Sequence, residues 1–178
     1  PKVGFVFGGL SGEHEVSVIS CKHILKAIDR DQFDFKLFYF KKNREIHLVD
    51  EDRLMNCPDQ PTQIEELSGK PLVFRPYPQG GVGSCFVDEL GQSYQVDVIF
   101  SVIHGLGGED GQIQGFFQAA GIPVVGNSLQ ASVVCMDKIL TKKICMQSEL
   151  PVVPFQAVTK PISVEELLFP FPVFVKPV

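Results

Sequence analysis

The sequence predicts an α/β protein: a doubly wound, mostly parallel sheet followed by the opening of a second, α+β unit. Three observations predict it. A short β-rich run, a helix-spaced segment and a second β-rich run succeed one another within the first 40 residues, the order of a β-α-β crossover. The run "VDVIFSVI" at 96–103 is almost continuously apolar, as a strand covered on both faces must be. From Pro151 the helical pattern stops and a new set of short strand candidates begins.

The elements are expected in this order. "KVGFVF" (2–7) forms the first strand and runs out in Gly8-Gly9. Val16 to Ile28 carries apolar residues at 16, 19, 24, 25 and 28, close to helical spacing. "FDFKLFYF" (33–40) alternates Phe on one face. Residues 43–95 read as an insertion at the sheet edge, a hairpin made of "PLVF" and "SCFVDEL" between the turn-rich stretches 56–62 and 76–83. The strand at 96–103 restores the parallel core. A helix over 112–120 stops at Gly121-Ile122-Pro123 before a short "PVVG" strand. A long helix is expected over 127–150, capped by Asn127 or Ser128. "FQAVTK" (155–160), a short helix near 163–168 and "FPVFVKPV" (171–178) open the second unit. The domains are therefore expected at 1–127 and 128–178.

With 178 residues, 44% of them hydrophobic and 21% charged, the chain can bury a sizeable core. Sixteen basic against 21 acidic residues leave a net charge of -5 with no basic cluster, which argues against nucleic acid. The longest apolar run, near 167–175, is interrupted by Pro170 and Pro172 and is too short to span a bilayer. No secretory signal is recognisable at the start, so a cytoplasmic location is expected. The five cysteines show no CxxC and no zinc spacing. They are expected as reduced thiols, mostly in the core, and no metal ligands are assigned.

Three places carry candidate chemistry. After the first strand, "FGGLSGEHEVS" (7–17) has Phe7 where a dinucleotide fingerprint needs its first glycine. Lys41-Lys42 stands where that fingerprint needs an acid, so a Rossmann dehydrogenase is disfavoured. Glu13 there either has a ligand-binding role or merely complements the helix dipole, and Glu15 is read as the latter. In "HGLGGEDGQIQG" (104–115), His104 stands at the exit of the buried strand, where α/β sites collect, rather than within it. The glycines allow close approach of a small ligand, and the helix start offers N–H groups to an anion. Glu109 and Asp110 are available to cap that helix. Lys138 read alone is a solvated helix residue, whereas Lys176, ending an apolar strand, suits a phosphate.

Together "FGGLSGEHEVS", "HGLGGEDGQIQG", "GNSLQASVVCMDKILTK" (126–142) and "FPVFVKP" (171–177) resemble, in order and spacing, the D-alanine–D-alanine ligases of the ATP-grasp superfamily. The resemblance implies a Rossmann-like pre-ATP-grasp domain followed by the truncated start of an ATP-grasp domain. It implies ATP-dependent ligation of two D-alanines through an acyl phosphate, for peptidoglycan synthesis. Glu13 then resembles the acid that holds the first D-alanine's ammonium. His104, with Gly105, resembles the histidine near that substrate's carboxylate. Lys138 and Lys176 resemble the lysines that contact ATP. Mg2+ or Mn2+ is implied, its ligands expected outside this chain; so are a homodimer and a possible fusion to another cell-wall enzyme.

The family's serine- and glycine-rich phosphate loop is absent after Lys176-Pro177. The first residue is Pro1, not methionine. The chain is therefore expected to be part of a longer polypeptide and inactive alone. Two other readings stand beside this one: a non-catalytic α/β ligand-binding or dimerisation module, and an ATP-grasp ligase of different substrate specificity.

Overall fold

The computed structural model describes residues 1–64, 66–76 and 85–177. It divides into two compact units, Pro1–Ser132 and Val133–Val178. Most of the turn-rich stretch at 76–83 lies outside the described residues.

The first unit is an eight-stranded mixed sheet in the order β6-β5-β4-β3-β2-β1-β7-β8. Strands β1 (Lys2–Gly8), β2 (Asp34–Phe40), β7 (Val98–Ser101) and β8 (Val124–Val125) pair in parallel. Between β1 and β2 runs α1 (His14–Ala27), and α3 (Gln112–Ala119) lies between β7 and β8. The alternation of side chains along a strand sorts β1 into two faces. Val3, Phe5 and Phe7 join Val18, Cys21 and Leu25 of α1, whereas Val6 joins Phe38, Ile99, Ile113 and Phe117 on the face of α3. One helix covers each face, the doubly wound arrangement the sequence predicts.

The insertion holds more than a hairpin. Strands β3 (Ile46–Leu48), β4 (Lys70–Arg75), β5 (Cys85–Asp88) and β6 (Ser93–Tyr94) extend the sheet beyond β2 as an antiparallel meander, with α2 (Glu51–Met55) between β3 and β4. The first and last strands of the meander escape sequence reading because β3 and β6 have only three and two residues. Such runs have no measurable period and exist by pairing alone. Phe86 of β5 stacks on Phe38 of β2 at 3.9 Å, which ties the meander into the core.

The expected single helix over 127–150 is two helices, α4 (Leu129–Met136) and α5 (Lys138–Gln147). Ser128 Oγ accepts the Ala131 N–H at 3.2 Å as a cap of α4. The break comes at Asp137, which has extended backbone and whose carboxylate accepts the N–H groups of Ile139 and Leu140. By capping α5, Asp137 competes with any continuation of α4.

The strands expected at 155–160 and 171–178 are not formed among the described residues. That region holds one short 3-10 turn, Val164–Glu166, closed by a capping box between Ser163 and Glu166. A strand requires a ladder partner, and none is paired there; Phe174 and Val175 are 93% and 89% exposed. The cysteines are all free, but only Cys21 and Cys85 are buried, against the expectation that most fill the core. Among the described residues no helix is long and apolar enough to cross a membrane.

Candidate active site

The parallel sheet reverses its winding between β1 and β7, and open α/β sheets bind ligands outside the carboxyl ends of strands at such a point. Pairing of β1 with β7 stops at Val6 and Ser101, and the Val102 N–H reaches Val6 O at 2.7 Å. Beyond it a side chain replaces the next rung. Ser17 Oγ, fully buried, accepts the Gly8 N–H at 2.8 Å and donates to Val102 O at 2.8 Å. Two strand ends that would otherwise splay are thus pinned by one hydroxyl of α1.

Glu13 and His104 stand on either side of this seam. Glu13 occupies the N-cap position of α1, and its N–H donates to Ser11 Oγ at 3.1 Å. Ser11 Oγ donates in turn to the carbonyl of His104 at 2.7 Å, joining the loop after β1 to the loop after β7. The Glu13 carboxylate accepts no hydrogen bond and enters no ion pair among the described residues. It is exposed and lies over Gly105: a β-carbon at residue 105 would sit 2.6 Å from Glu13 Oε2. An unpaired carboxylate held against backbone suits a small cation such as an ammonium group.

His104 has left the strand and its side chain is 34% exposed, unlike a histidine of the core. Its Nε2 lies 3.0 Å from Ser20 Oγ and its Nδ1 lies 3.9 Å from Glu109 Oε1. The two acids of this loop serve its own main chain. Glu109 accepts the Gly105 N–H at 2.9 Å, and Asp110 accepts those of Gly107 at 2.8 Å and Gln112 at 3.0 Å. Asp110 thus takes the first N–H of α3, as an acid available to cap that helix is expected to do. A negatively charged loop after a buried strand is stable here because its charges meet N–H dipoles that no strand or helix satisfies. Gly108 is needed for the loop itself, since a side chain there would collide with the carbonyl of Ile103.

Glu15 does more than complement the helix dipole. It pairs with Lys42 at 2.6 Å, and that bond holds its carboxyl below the ordinary range. Lys41 meets Glu45 at 2.9 Å and Glu66 at 3.5 Å. Both lysines at the exit of β2 thus have carboxylate partners.

In the second unit, Lys138 is the first residue of α5 and is exposed, and Lys176 is exposed in a stretch without regular secondary structure rather than at the end of a strand. Among the described residues no group of three or more His, Cys, Asp or Glu side chains is arranged to hold a metal ion.

Sequence reasoning missed Ser11, Ser17, Ser20 and His14. A signal existed for two of them: Glu13, Ser17 and Ser20 fall at i, i+4 and i+7, one helix face. His14 is buried between the two flanking strands. Its Nδ1 donates to Gly9 O at 2.6 Å, so Nε2 is bare and accepts the Tyr39 hydroxyl at 2.7 Å. Burial pushes the Tyr39 phenol up to about 12, keeping that donor protonated. Beside this pair is a cavity of about 180 Å3 lined by His14, Glu15, Tyr39, Lys42, Ile64 and Glu66. A larger cleft, about 880 Å3, lies at the opposite, amino ends of β1 and β2, among residues such as Lys2, Arg30, Asp34 and Asp97.

Comparison with known proteins bears on the chain's kinship. The family profile described as D-ala D-ala ligase N-terminus matches residues 2–127. D-alanine–D-alanine ligase A of Escherichia coli strain K12 is 37% identical over 99% of this chain and 50% of its own length. The D-alanine–D-alanine ligase of Shouchella clausii is 35% identical over the same shares. Among solved structures, the D-alanine–D-alanine ligase of Coxiella burnetii superposes with a TM-score of 0.77 at 28% identity, covering 93% of this chain and 47% of that one. The VanG D-Ala:D-Ser ligase of Enterococcus faecalis gives 0.70 at 31% identity, covering 85% and 43%. The chain spans about half the length of the curated relatives it matches. A family profile aligned over most of the chain, and relatives of one kind in both sequence and fold, settle its kinship: the chain belongs to the D-alanine–D-alanine ligase family, whose N-terminal part corresponds to residues 2–127.

Proposed function

We propose that the whole protein joins two D-alanines into D-alanyl-D-alanine at the expense of ATP, for peptidoglycan synthesis, and that this chain supplies the wall that receives the first D-alanine. The observation that carries the reading is the unpaired Glu13 carboxylate lying over Gly105 at the reversal point of the sheet. Its negative charge complements the substrate's ammonium, and the missing side chain at 105 lets that carboxylate lie against the backbone of the loop after β7. His104, one residue before Gly105 and partly exposed, is the group assigned to the substrate's carboxylate. Residues 1–127 serve in this reading as the substrate-binding domain and 128–178 as the start of the ATP-binding domain. A cytoplasmic location belongs to the same reading.

In the reaction, the carboxylate of the first D-alanine takes the γ-phosphoryl group of ATP, giving an acyl phosphate and ADP. The amine of the second D-alanine attacks its carbonyl carbon, and phosphate leaves as the peptide bond forms. Glu13 orients the first substrate through its ammonium so that its carboxylate faces the nucleotide. Lys138 and Lys176 are assigned to ATP, since exposed ammonium groups suit phosphate oxygens. Mg2+ or Mn2+ would neutralise charge on the transferring phosphoryl group, but the described residues contain no donor cluster for it, and no step is assigned through it.

Steady-state kinetics of the complete enzyme test this reading. Glu13→Ala should raise the KM for the first D-alanine at least tenfold, because the substrate's ammonium, once bound and shut off from water, would lose its charged partner, a loss of about 2–5 kcal/mol, and should leave the KM for ATP unchanged. His104→Ala should lower kcat with ATP binding intact. An unchanged D-alanine KM in Glu13→Ala would return that residue to a helix-dipole role. A second reading, an ATP-grasp ligase with another second substrate, is favoured by the likeness to a D-Ala:D-Ser ligase. Mass analysis of the dipeptide formed from mixed D-alanine and D-serine decides between them.

A further inference from the structure

The two ring nitrogens of His104 face side chains from two different elements, one at hydrogen-bond length and one beyond it. Ser20 Oγ, on α1, lies 3.0 Å from Nε2, and Glu109 Oε1, in the loop before α3, lies 3.9 Å from Nδ1. Ser20 and His104 are 84 residues apart in the chain. A carboxylate can only accept, so Glu109 favours the tautomer with the proton on Nδ1. The bare Nε2 is then an acceptor, and the Ser20 hydroxyl is its donor. Glu109 is itself fixed, because its other oxygen accepts the Gly105 N–H at 2.9 Å. The His104 carbonyl is bound by Ser11, so backbone and ring of this residue are both restrained from the α1 side.

We propose that Ser20 is a positioning residue: its hydroxyl holds the His104 ring as the Nδ1–H tautomer, with that N–H directed to the same side as the Gly105 N–H. Two donors then face one carboxylate. In the present arrangement that carboxylate belongs to Glu109, which meets the Gly105 N–H at hydrogen-bond length and the imidazole only at 3.9 Å. The longer arm leaves the Nδ1–H available to a substrate's carboxylate, whereas the opposite tautomer would turn a lone pair toward it and repel it. Ser20 does not touch the substrate in this scheme; it acts through the ring. The inference rests on the assignment of His104 to the first D-alanine, but the tautomer itself does not.

Two measurements test it separately. In this chain, nitrogen-15 NMR of the His104 side chain should show the proton on Nδ1 in the unaltered protein. Mixed tautomers are expected in Ser20→Ala, and the original pattern in Ser20→Thr, which retains a hydroxyl. A proton on Nε2 in the unaltered protein, or an unchanged tautomer in Ser20→Ala, overturns the proposal. In the complete enzyme, Ser20→Ala should lower kcat/KM for the first D-alanine about five- to tenfold, the worth of one hydrogen bond, with the KM for ATP unchanged and Ser20→Thr restoring it. Normal D-alanine kinetics in Ser20→Ala alongside impaired kinetics in His104→Ala would overturn the positioning role. Normal kinetics in His104→Ala would instead remove the assignment of His104 to substrate, leaving the NMR result to decide what holds the ring.

Discussion

The Glu13 carboxylate and residue 105 occupy adjoining space: a β-carbon on residue 105 would lie 2.6 Å from Glu13 Oε2, and the backbone there has φ +66°. The obstacle is the far end of a flexible side chain, so the fold can accommodate a methyl group by moving Glu13. In Gly105→Ala the positive φ should cost about 1–2 kcal/mol, read as a lower urea midpoint. The complete enzyme carrying it should lose affinity for the first D-alanine while keeping that for ATP. Unaltered D-alanine kinetics would show that the position of the Glu13 carboxylate does not matter.

Tyr39→Phe isolates the buried bond to His14. Removing the hydroxyl leaves the His14 Nε2 acceptor without its 2.7 Å partner, and an unsatisfied buried group costs about 1–3 kcal/mol. Urea unfolding should show a lower midpoint at an unchanged slope. A midpoint equal to that of the parent protein would mean that water replaces the phenol.

The pH dependence of stability should include Glu45. Its bonds to Lys41 first, then Asn43 and His47, hold its carboxyl down to about 2 from an ordinary value of 4.5. A folded value below the unfolded one stabilises above about 4.5 and is lost as pH falls toward 2. The stability difference between the parent protein and Glu45→Gln should therefore be larger at pH 6 than at pH 3. It should also shrink in 1 M salt, because the group is exposed and the Debye length there is only about 3 Å. A difference independent of pH would contradict this assignment.

Asp137 is what divides the helical stretch. Asp137→Ala removes the acceptor for the Ile139 and Leu140 N–H groups, now bound at 2.9 and 2.8 Å. The loss of an N-cap should destabilise α5 by about 0.5–2 kcal/mol. Hydrogen exchange at residues 139–141 should accelerate, with Asp137→Asn close to the parent. If exchange is unchanged in the alanine variant, the start of α5 is held by something other than its cap.

Much of the fold was legible because burial on two faces writes a continuous apolar run into a strand, as in β1 and β7. Helical spacing located α1 but read its face through 16, 19, 24, 25 and 28, of which only Leu25 is fully buried, while Val16 is 43% exposed and Val18 and Cys21 fill the core instead. His104 stood out as a polar residue just beyond such an apolar run, and Glu13 as an acid just after the glycines that follow one. Ser17 and Ser20 did not, because a serine on a helix is ordinary until its partner is known, and their partners lie 85 and 84 residues away. Asp137 was passed over within a helical pattern because capping and continuing look alike at one position.

Which segments could be buried, and on which face, was already set by the chain's own order of residues, since hydrophobic period and glycine or proline breaks are local properties. The kinship was set there too, through four motifs in fixed order. Folding in three dimensions was needed to make residues 43–95 a four-stranded meander and to leave 155–160 and 171–177 without a ladder. It was needed as well to answer the Glu109 and Asp110 charges with the loop's own N–H groups. Pairing and hydrogen-bond satisfaction depend on which distant groups arrive alongside, and no local pattern encodes the distance between them.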